Sequence, residues 1–185
     1  PAMRWSGLLP YSKVVRERPK KAVINADSYK KPRKACSLAA SVMMKANSAM
    51  NYLRETGLDK VILSVKKPIL GICLGLQLMC SHSEEGDTEC LGIFDTKVKK
   101  FPVTKKVPHM GWNSFSALKG SLFDGIRPSQ DMYYVHSYYA EVNDQTTAVC
   151  DYILPFSAAI KKANFYATQF HPEKSADVGT QLLKN

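Results

Sequence analysis

Residues 68–75, Pro-Ile-Leu-Gly-Ile-Cys-Leu-Gly, constrain this 185-residue chain more than any other segment. An apolar run of strand length ends in a cysteine between two glycines, and Leu76-Gln-Leu-Met then continues at helical spacing. Gly71 and Gly75 permit an abrupt turn and a close approach of strand and helix. A strand that turns straight into a helix displays the residue at its tip beyond the carboxyl end of a sheet. Here that residue is Cys73. The backbone N–H of Leu74 opens the helix, where a developing oxyanion is stabilised.

A thiol is a weak nucleophile until a base takes its proton, and the base works best when a third group fixes its tautomer. The segment Gln169-Phe-His-Pro-Glu173 offers both. Read as extended chain, it points His171 and Glu173 to the same side. Alone, the cysteine reads as a small buried hydrophobe and the histidine as structural. Together Cys73, His171 and Glu173 supply nucleophile, base and orienting carboxylate.

Periodicity organises much of the remaining chain. Helices are expected over 47–58, with Asn47 or Ser48 as N-cap, and over 59–65. The nucleophile strand covers 68–72 and its helix 74–81. Further strands are expected over 91–101, 111–115, 132–139 and 147–152. A hairpin pairs 156–161 with 165–168, with Asn164 taking the left-handed turn conformation. A closing helix over 177–183 reads as cut short at the carboxyl terminus. One α/β domain spanning 1–185 follows, its early strands parallel and its later ones antiparallel.

Composition excludes several function classes. Hydrophobic residues make up 45% and charged residues 23%, ordinary for a globular protein. The longest apolar run falls short of the ~18 residues that read as a membrane span. Five cysteines, an odd number without C-x-x-C spacing, point to reduced thiols in a cytoplasmic protein with no structural metal site. Residues 1–45 hold eleven Lys or Arg against two Asp or Glu, leaving +9 of the net +10 there. This arm lacks a nucleic-acid-binding motif and has few interleaved aromatics, so neither nucleic acid nor membrane is expected as a partner.

Gly-Ile-Cys-Leu-Gly-Leu-Gln-Leu-Met and Gln-Phe-His-Pro-Glu-Lys-Ser resemble the signature of the class I (triad) glutamine amidotransferases. Val107-Pro-His-Met-Gly-Trp-Asn113 and Tyr133-Tyr-Val-His-Ser-Tyr-Tyr139 narrow the resemblance to the HisH family, the glutaminase subunits of imidazole glycerol phosphate synthase. The likeness runs from about residue 46 to 185. It implies a flavodoxin-like, three-layer α/β domain with a mixed central sheet and a nucleophile elbow. It implies hydrolysis of L-glutamine to glutamate and ammonia without a cofactor, with ammonia delivered to a HisF-type cyclase in a heterodimer. It makes Leu74, Gln77, Glu85, His136, Ser137 and Tyr138 glutamine-binding residues. Met110, Trp112, Asn113 and Lys174 would face the cyclase. A different class I amidotransferase, a γ-glutamyl hydrolase, or a cyclase-binding pseudo-glutaminase stands as the alternative.

The amino-terminal quarter departs from that pattern. Ala22-Val-Ile-Asn-Ala-Asp27 still reads as an expected strand and its exit. Where the family carries a Pro-Gly-Val-Gly loop with the second oxyanion donor, this chain reads Ser41-Val-Met-Met44, without glycine. Methionine does not reach the backbone angles that glycine takes freely. Replacing residues 41–44 by Pro-Gly-Val-Gly is therefore expected to raise glutamine turnover with little change in KM. A lost oxyanion donor costs roughly 10²–10³ in kcat, so steady-state kinetics of the two proteins decide the matter.

Overall fold

The computed structural model describes residues 22–25 and 45–185. The expectations for Ser41, Met43 and Met44 lie outside the described residues. In chain order the elements are β1 (Ala22–Asn25), α1 (Ala46–Thr56), α2 (Leu58–Ser64), β2 (Ile69–Ile72) and α3 (Leu74–Met79). Three short strands follow: β3 (His82–Ser83), β4 (Thr88–Glu89) and β5 (Lys97–Lys100). Then come β6 (His109–Asn113), β7 (Ala117–Leu118), β8 (Met132–His136), β9 (Tyr138–Ala140) and β10 (Thr146–Asp151). β11 (Pro155–Lys162), β12 (Phe165–Thr168), a 3₁₀ turn (Pro172–Lys174) and α4 (Ala176–Lys184) complete the chain.

The central sheet has the order β1-β2-β12-β11-β10-β7. β2 pairs in parallel with β1 and β12, whereas β11 pairs antiparallel with both β12 and β10. Parallel pairing thus carries the elbow, as the sequence implies, but one of the parallel partners, β12, is the last strand of the chain. Side chains alternate across β12: Phe165 and Ala167 face one core, Tyr166 the other. The first core lies under α1 and α3 with Met50, Leu53, Leu76 and Phe94. The second joins Leu182 of α4 to an aromatic group of Phe101, Phe115, Tyr134, Phe156 and Phe170. This is the mixed α/β sheet, covered on both faces, that the resemblance implied.

Several expected boundaries move, each for a hydrogen-bonding reason. The strand expected over 91–101 shrinks to β5, because the N–H groups of Leu91, Gly92, Ile93 and Phe94 bond carbonyls of Leu78, Met79 and Cys80 at the end of α3. The strand expected over 132–139 breaks at Ser137 into β8 and β9, which pair in different sheets. α1 begins one residue early, with Lys45 at the N-cap in place of Asn47 or Ser48. The Glu85 carboxylate, 2.9 Å from the Ala46 N–H, does the capping. Left-handed Gly57 (φ 70°) separates α1 from α2. In the β11–β12 hairpin Ala163, not Asn164, takes the positive φ. The Asn164 amide instead donates to the carbonyls of Val65 and Lys67, each at 2.9 Å.

The closing helix seats the 3₁₀ turn through a glycine. A Cβ on Gly179 would collide with the Pro172 carbonyl and lie 2.9 Å from the Ser175 Cβ. Gly179→Ala must push α4 off the turn that carries Glu173. We expect a loss of about 1–3 kcal/mol of stability, the usual cost of overpacking, with a fall in turnover. Thermal melting and kinetics of the variant test both.

Candidate active site

The elbow forms as the glycines require. A Cβ on Gly71 would lie 2.9 Å from the Gly75 backbone, so strand and helix touch there. Cys73 adopts φ 52° and ψ −105°, a region costing a non-glycine residue on the order of 1–3 kcal/mol. Its N–H is anchored to the Thr168 carbonyl at 2.7 Å, and its own carbonyl accepts from the N–H groups of Leu76 (3.0 Å) and Gln77 (3.4 Å). The side chain is half-buried. Leu74 is the first residue of α3, so its N–H has no partner within the helix.

The base reaches Cys73 by a different geometry from the one expected. The extended chain ends at His171, and Glu173 lies in the 3₁₀ turn. That turn, not strand alternation, folds the carboxylate back: His171 Nδ1–H donates to Glu173 Oε1 at 2.8 Å. This tautomer leaves Nε2 as the acceptor nitrogen, and the side chain interacts with Cys73. The ring is fully buried and its backbone is clamped on both sides. The His171 N–H donates to the Tyr133 carbonyl (2.9 Å), and Ser175 Oγ donates to the His171 carbonyl (2.6 Å) while accepting from the Tyr133 N–H (3.0 Å). Burial alone lowers the basicity of the ring, but contact with Cys73 and Glu173 outweighs it and holds His171 well above the usual imidazole range. A proton taken up by the ring is thus stabilised there. By contrast, burial pushes the thiol of Cys90 up to about 11 and that of Cys150 up to about 12.

Around this pair lies a hydrogen-bonded group centred on the Tyr138 carbonyl. That oxygen accepts from His136 Nδ1 at 2.7 Å and from Gln77 Nε2 at 3.1 Å. A carbonyl only accepts, so the His136 proton is on Nδ1 and its Nε2 is an acceptor. His109 Nδ1–H donates to that Nε2 at 3.0 Å, and Asn113 Nδ2 donates to His109 Nε2 at 3.3 Å. Burial keeps both rings neutral, lowering His109 to about 4 and His136 to about 3. Gln77 Nε2 also donates to Gln169 Oε1 (3.2 Å), and Gln169 Nε2 lies 3.7 Å from Cys73 Sγ.

The other expected residues distribute as follows. Ser137 bridges β8 and β9, its carbonyl accepting from the Phe101 N–H at 3.0 Å. Burial raises the Tyr138 phenol, and the carboxylates Glu85 and Glu84 add to that rise. Met110 and Trp112 alternate onto the outer face of β6 and are more than half exposed, at 59% and 55%. Asn113 turns its side chain inward, to His109 and to the Asp151 carbonyl. Lys174 is exposed beside Glu173. Among the described residues no group of His, Cys, Asp and Glu could hold a metal ion.

A family model described as "Glutamine amidotransferase class-I" matches residues 47–185. The chain belongs to that family. It is 56% identical over 144 residues to imidazole glycerol phosphate synthase subunit HisH of Bacteroides fragilis (strain YCH46), covering 76% of this chain and 74% of that protein. HisH 2 of Legionella pneumophila (strain Paris) is 46% identical over 143 residues, covering 76% and 72%. HisH of Pasteurella multocida is 43% identical over 161 residues, covering 86% and 81%. Among solved structures, a putative GMP synthase protein from Thermoplasma acidophilum superposes with a TM-score of 0.54 at 19% identity, covering 89% of each chain. A glutamine amidotransferase from Thermotoga maritima gives 0.53 at 17%, covering 84% and 65%. These two share the fold.

Three residues of this amidotransferase site escaped the sequence reading: Gln169, Ser175 and His109. All stand inside segments already singled out, but a buried polar side chain is visible only once its partners are placed. The neutral histidines also make stability pH-dependent. Both folded values lie below the unfolded value of about 6.5, so the unfolded chain binds more protons as the medium acidifies. Their contribution is present above pH 6.5 and is lost as pH falls through the folded values, about 4 for His109 and about 3 for His136. His171, raised in the fold, acts in the opposite sense as pH falls through 6.5 and adds little slope once the unfolded ring is also protonated. A drop in melting temperature between pH 7 and pH 5 is expected, reduced in His109→Gln, which bonds but does not titrate.

Proposed function

We propose that this chain is the glutaminase subunit of an imidazole glycerol phosphate synthase, a cytoplasmic enzyme acting with a HisF-type cyclase. The observation that carries the reading is the Cys73–His171–Glu173 arrangement on an elbow, in a chain 56% identical to a HisH subunit. His171 holds the thiol proton while Glu173 orients the ring, and the sulfur attacks the side-chain amide carbon of L-glutamine. Charge passes to the amide oxygen, which the Leu74 N–H receives as one oxyanion donor. The expected position of a second donor, around Met43 and Met44, lies outside the described residues. His171 then gives its proton to the leaving nitrogen, and ammonia departs from the γ-glutamyl thioester. A water that loses its proton to His171 cleaves the thioester, and glutamate leaves as the sulfur is restored.

Gln77, Glu85, His136, Ser137 and Tyr138 are assigned to glutamine binding. Glu85 suits the α-ammonium, and the backbone and hydroxyl donors of 136–138 suit the α-carboxylate. Met110, Trp112, Asn113 and Lys174 are assigned to the cyclase interface. An exposed Trp beside an exposed Met fits an interface core, while Asn113 acts there from the inner side of β6. Ammonia passing to the cyclase would react with the ribulosyl intermediate PRFAR to give imidazole glycerol phosphate and AICAR.

The isolated chain is expected to hydrolyse glutamine slowly, and a cognate cyclase carrying its ligand to accelerate it strongly. Partner stimulation means that a donor or dipole is positioned only in the complex. Glutamate release, measured with and without the liganded cyclase, tests this. Full activity of the isolated chain would oppose the subunit role.

A further inference from the structure

The Gln169 side chain is fully buried, yet it points at the one sulfur that reacts. Which end of its amide faces the sulfur follows from proton accounting rather than from atom shape, which does not separate N from O. The Tyr138 carbonyl only accepts, so Gln77 must turn its NH₂ towards it. Reversing Gln77 would set two oxygens against each other. That nitrogen lies 3.2 Å from the end of the Gln169 side chain, and its second hydrogen needs an acceptor there. Gln169 therefore turns its oxygen to Gln77 and its NH₂ to Cys73 Sγ at 3.7 Å.

We propose that Gln169 is a further catalytic residue, donating its side-chain N–H to the Cys73 sulfur in its thiolate form. The proposal rests on the glutaminase reading of this site and deepens it. A hydrogen bond to an ion is stronger than one to its neutral form, so this N–H favours the thiolate. Thiolate population gains in full, whereas nucleophilicity falls with only about 0.4–0.5 of the basicity, leaving attack faster near neutral pH. The same N–H meets the sulfur again when the thioester is cleaved and the S–C bond electrons return to sulfur. Gln77, with both amide hydrogens committed, acts on Gln169 as a positioning residue. Its free carbonyl oxygen suits a donor on the substrate.

The test uses the full chain and iodoacetamide, which reports on the sulfur without glutamine or a cyclase. Gln169→Met and Gln169→Leu remove the donor with two different shapes. Alkylation at Cys73, quantified by peptide mapping, is expected to slow about tenfold at pH 7, consistent with one hydrogen bond to a charged group. At pH 9.5, where hydroxide ionises an ordinary thiol unaided, the variants should come within about twofold of the unsubstituted chain. The titratable side chains acting on the Cys73–His171 couple are Glu173 and the neutral His136, both present in every arm. A packing defect would slow alkylation at both pH values. That result in both variants, or an unchanged rate at pH 7, overturns the assignment. Absent glutamine turnover with a liganded cyclase would instead count against the glutaminase reading, whatever the alkylation rates.

Discussion

The site depends on the register of one strand pair. β2 and β12 run parallel with Ile72 opposite Thr168, so the residues that follow them leave the sheet side by side. On one strand the next residue is Cys73, and on the other it is Gln169, with His171 two further along. The Cys73 N–H bonds the Thr168 carbonyl at 2.7 Å, so the strained cysteine is tied to the strand that leads to its base. A slip of one residue would reverse every side chain of β12 between the two cores. The burial of Ala167 under α3 and of Tyr166 on the opposite face makes that slip costly. Packing far from the sulfur thus determines its distance from the imidazole.

Much of this was legible in the chain, and the reason differs from one element to the next. The elbow could be read because glycine is required on steric grounds: Gly71 has no room for a Cβ. The hairpin before His171 could be read because alternation and a turn are local. What was misread involved partners distant in sequence. Leu91–Phe94 look like strand, yet their N–H groups serve the end of α3. Asn164 looks like the turn residue, yet its amide holds the segment before β2. His171 and Glu173 were correctly paired through an incorrect geometry, since both a strand and a 3₁₀ turn can bring residues two apart together. Gly179 gave no signal, because its need is created by the Pro172 carbonyl on another element.

The polar group around the Tyr138 carbonyl is arranged so that each proton has one place. Asn113, His109 and His136 form a directed series of donors that ends on the Tyr138 carbonyl, and Gln77 reaches the same oxygen from α3. An imidazole protonated on both nitrogens would break the series, which is why neutral rings belong here. His171 is the opposite case. It is equally enclosed, but a sulfur and a carboxylate face it, so charge is favoured where burial alone would forbid it. Three buried histidines thereby divide into two whose basicity burial lowers and one whose basicity its neighbours raise.

Glu85 connects this arrangement to the start of α1. Its carboxylate accepts from the Ala46 N–H at the start of α1, a stabilising place for a negative charge of about 0.3–1 kcal/mol. The same carboxylate acts on the Tyr138 phenol. The start of α1 and the Tyr138 phenol thus share one acid. An ammonium arriving beside Tyr138 would draw on the charge that caps α1. The two demands are compatible, since a carboxylate has two oxygens and about four lone-pair directions. The helix entry is therefore coupled electrostatically to the residues proposed to bind glutamine.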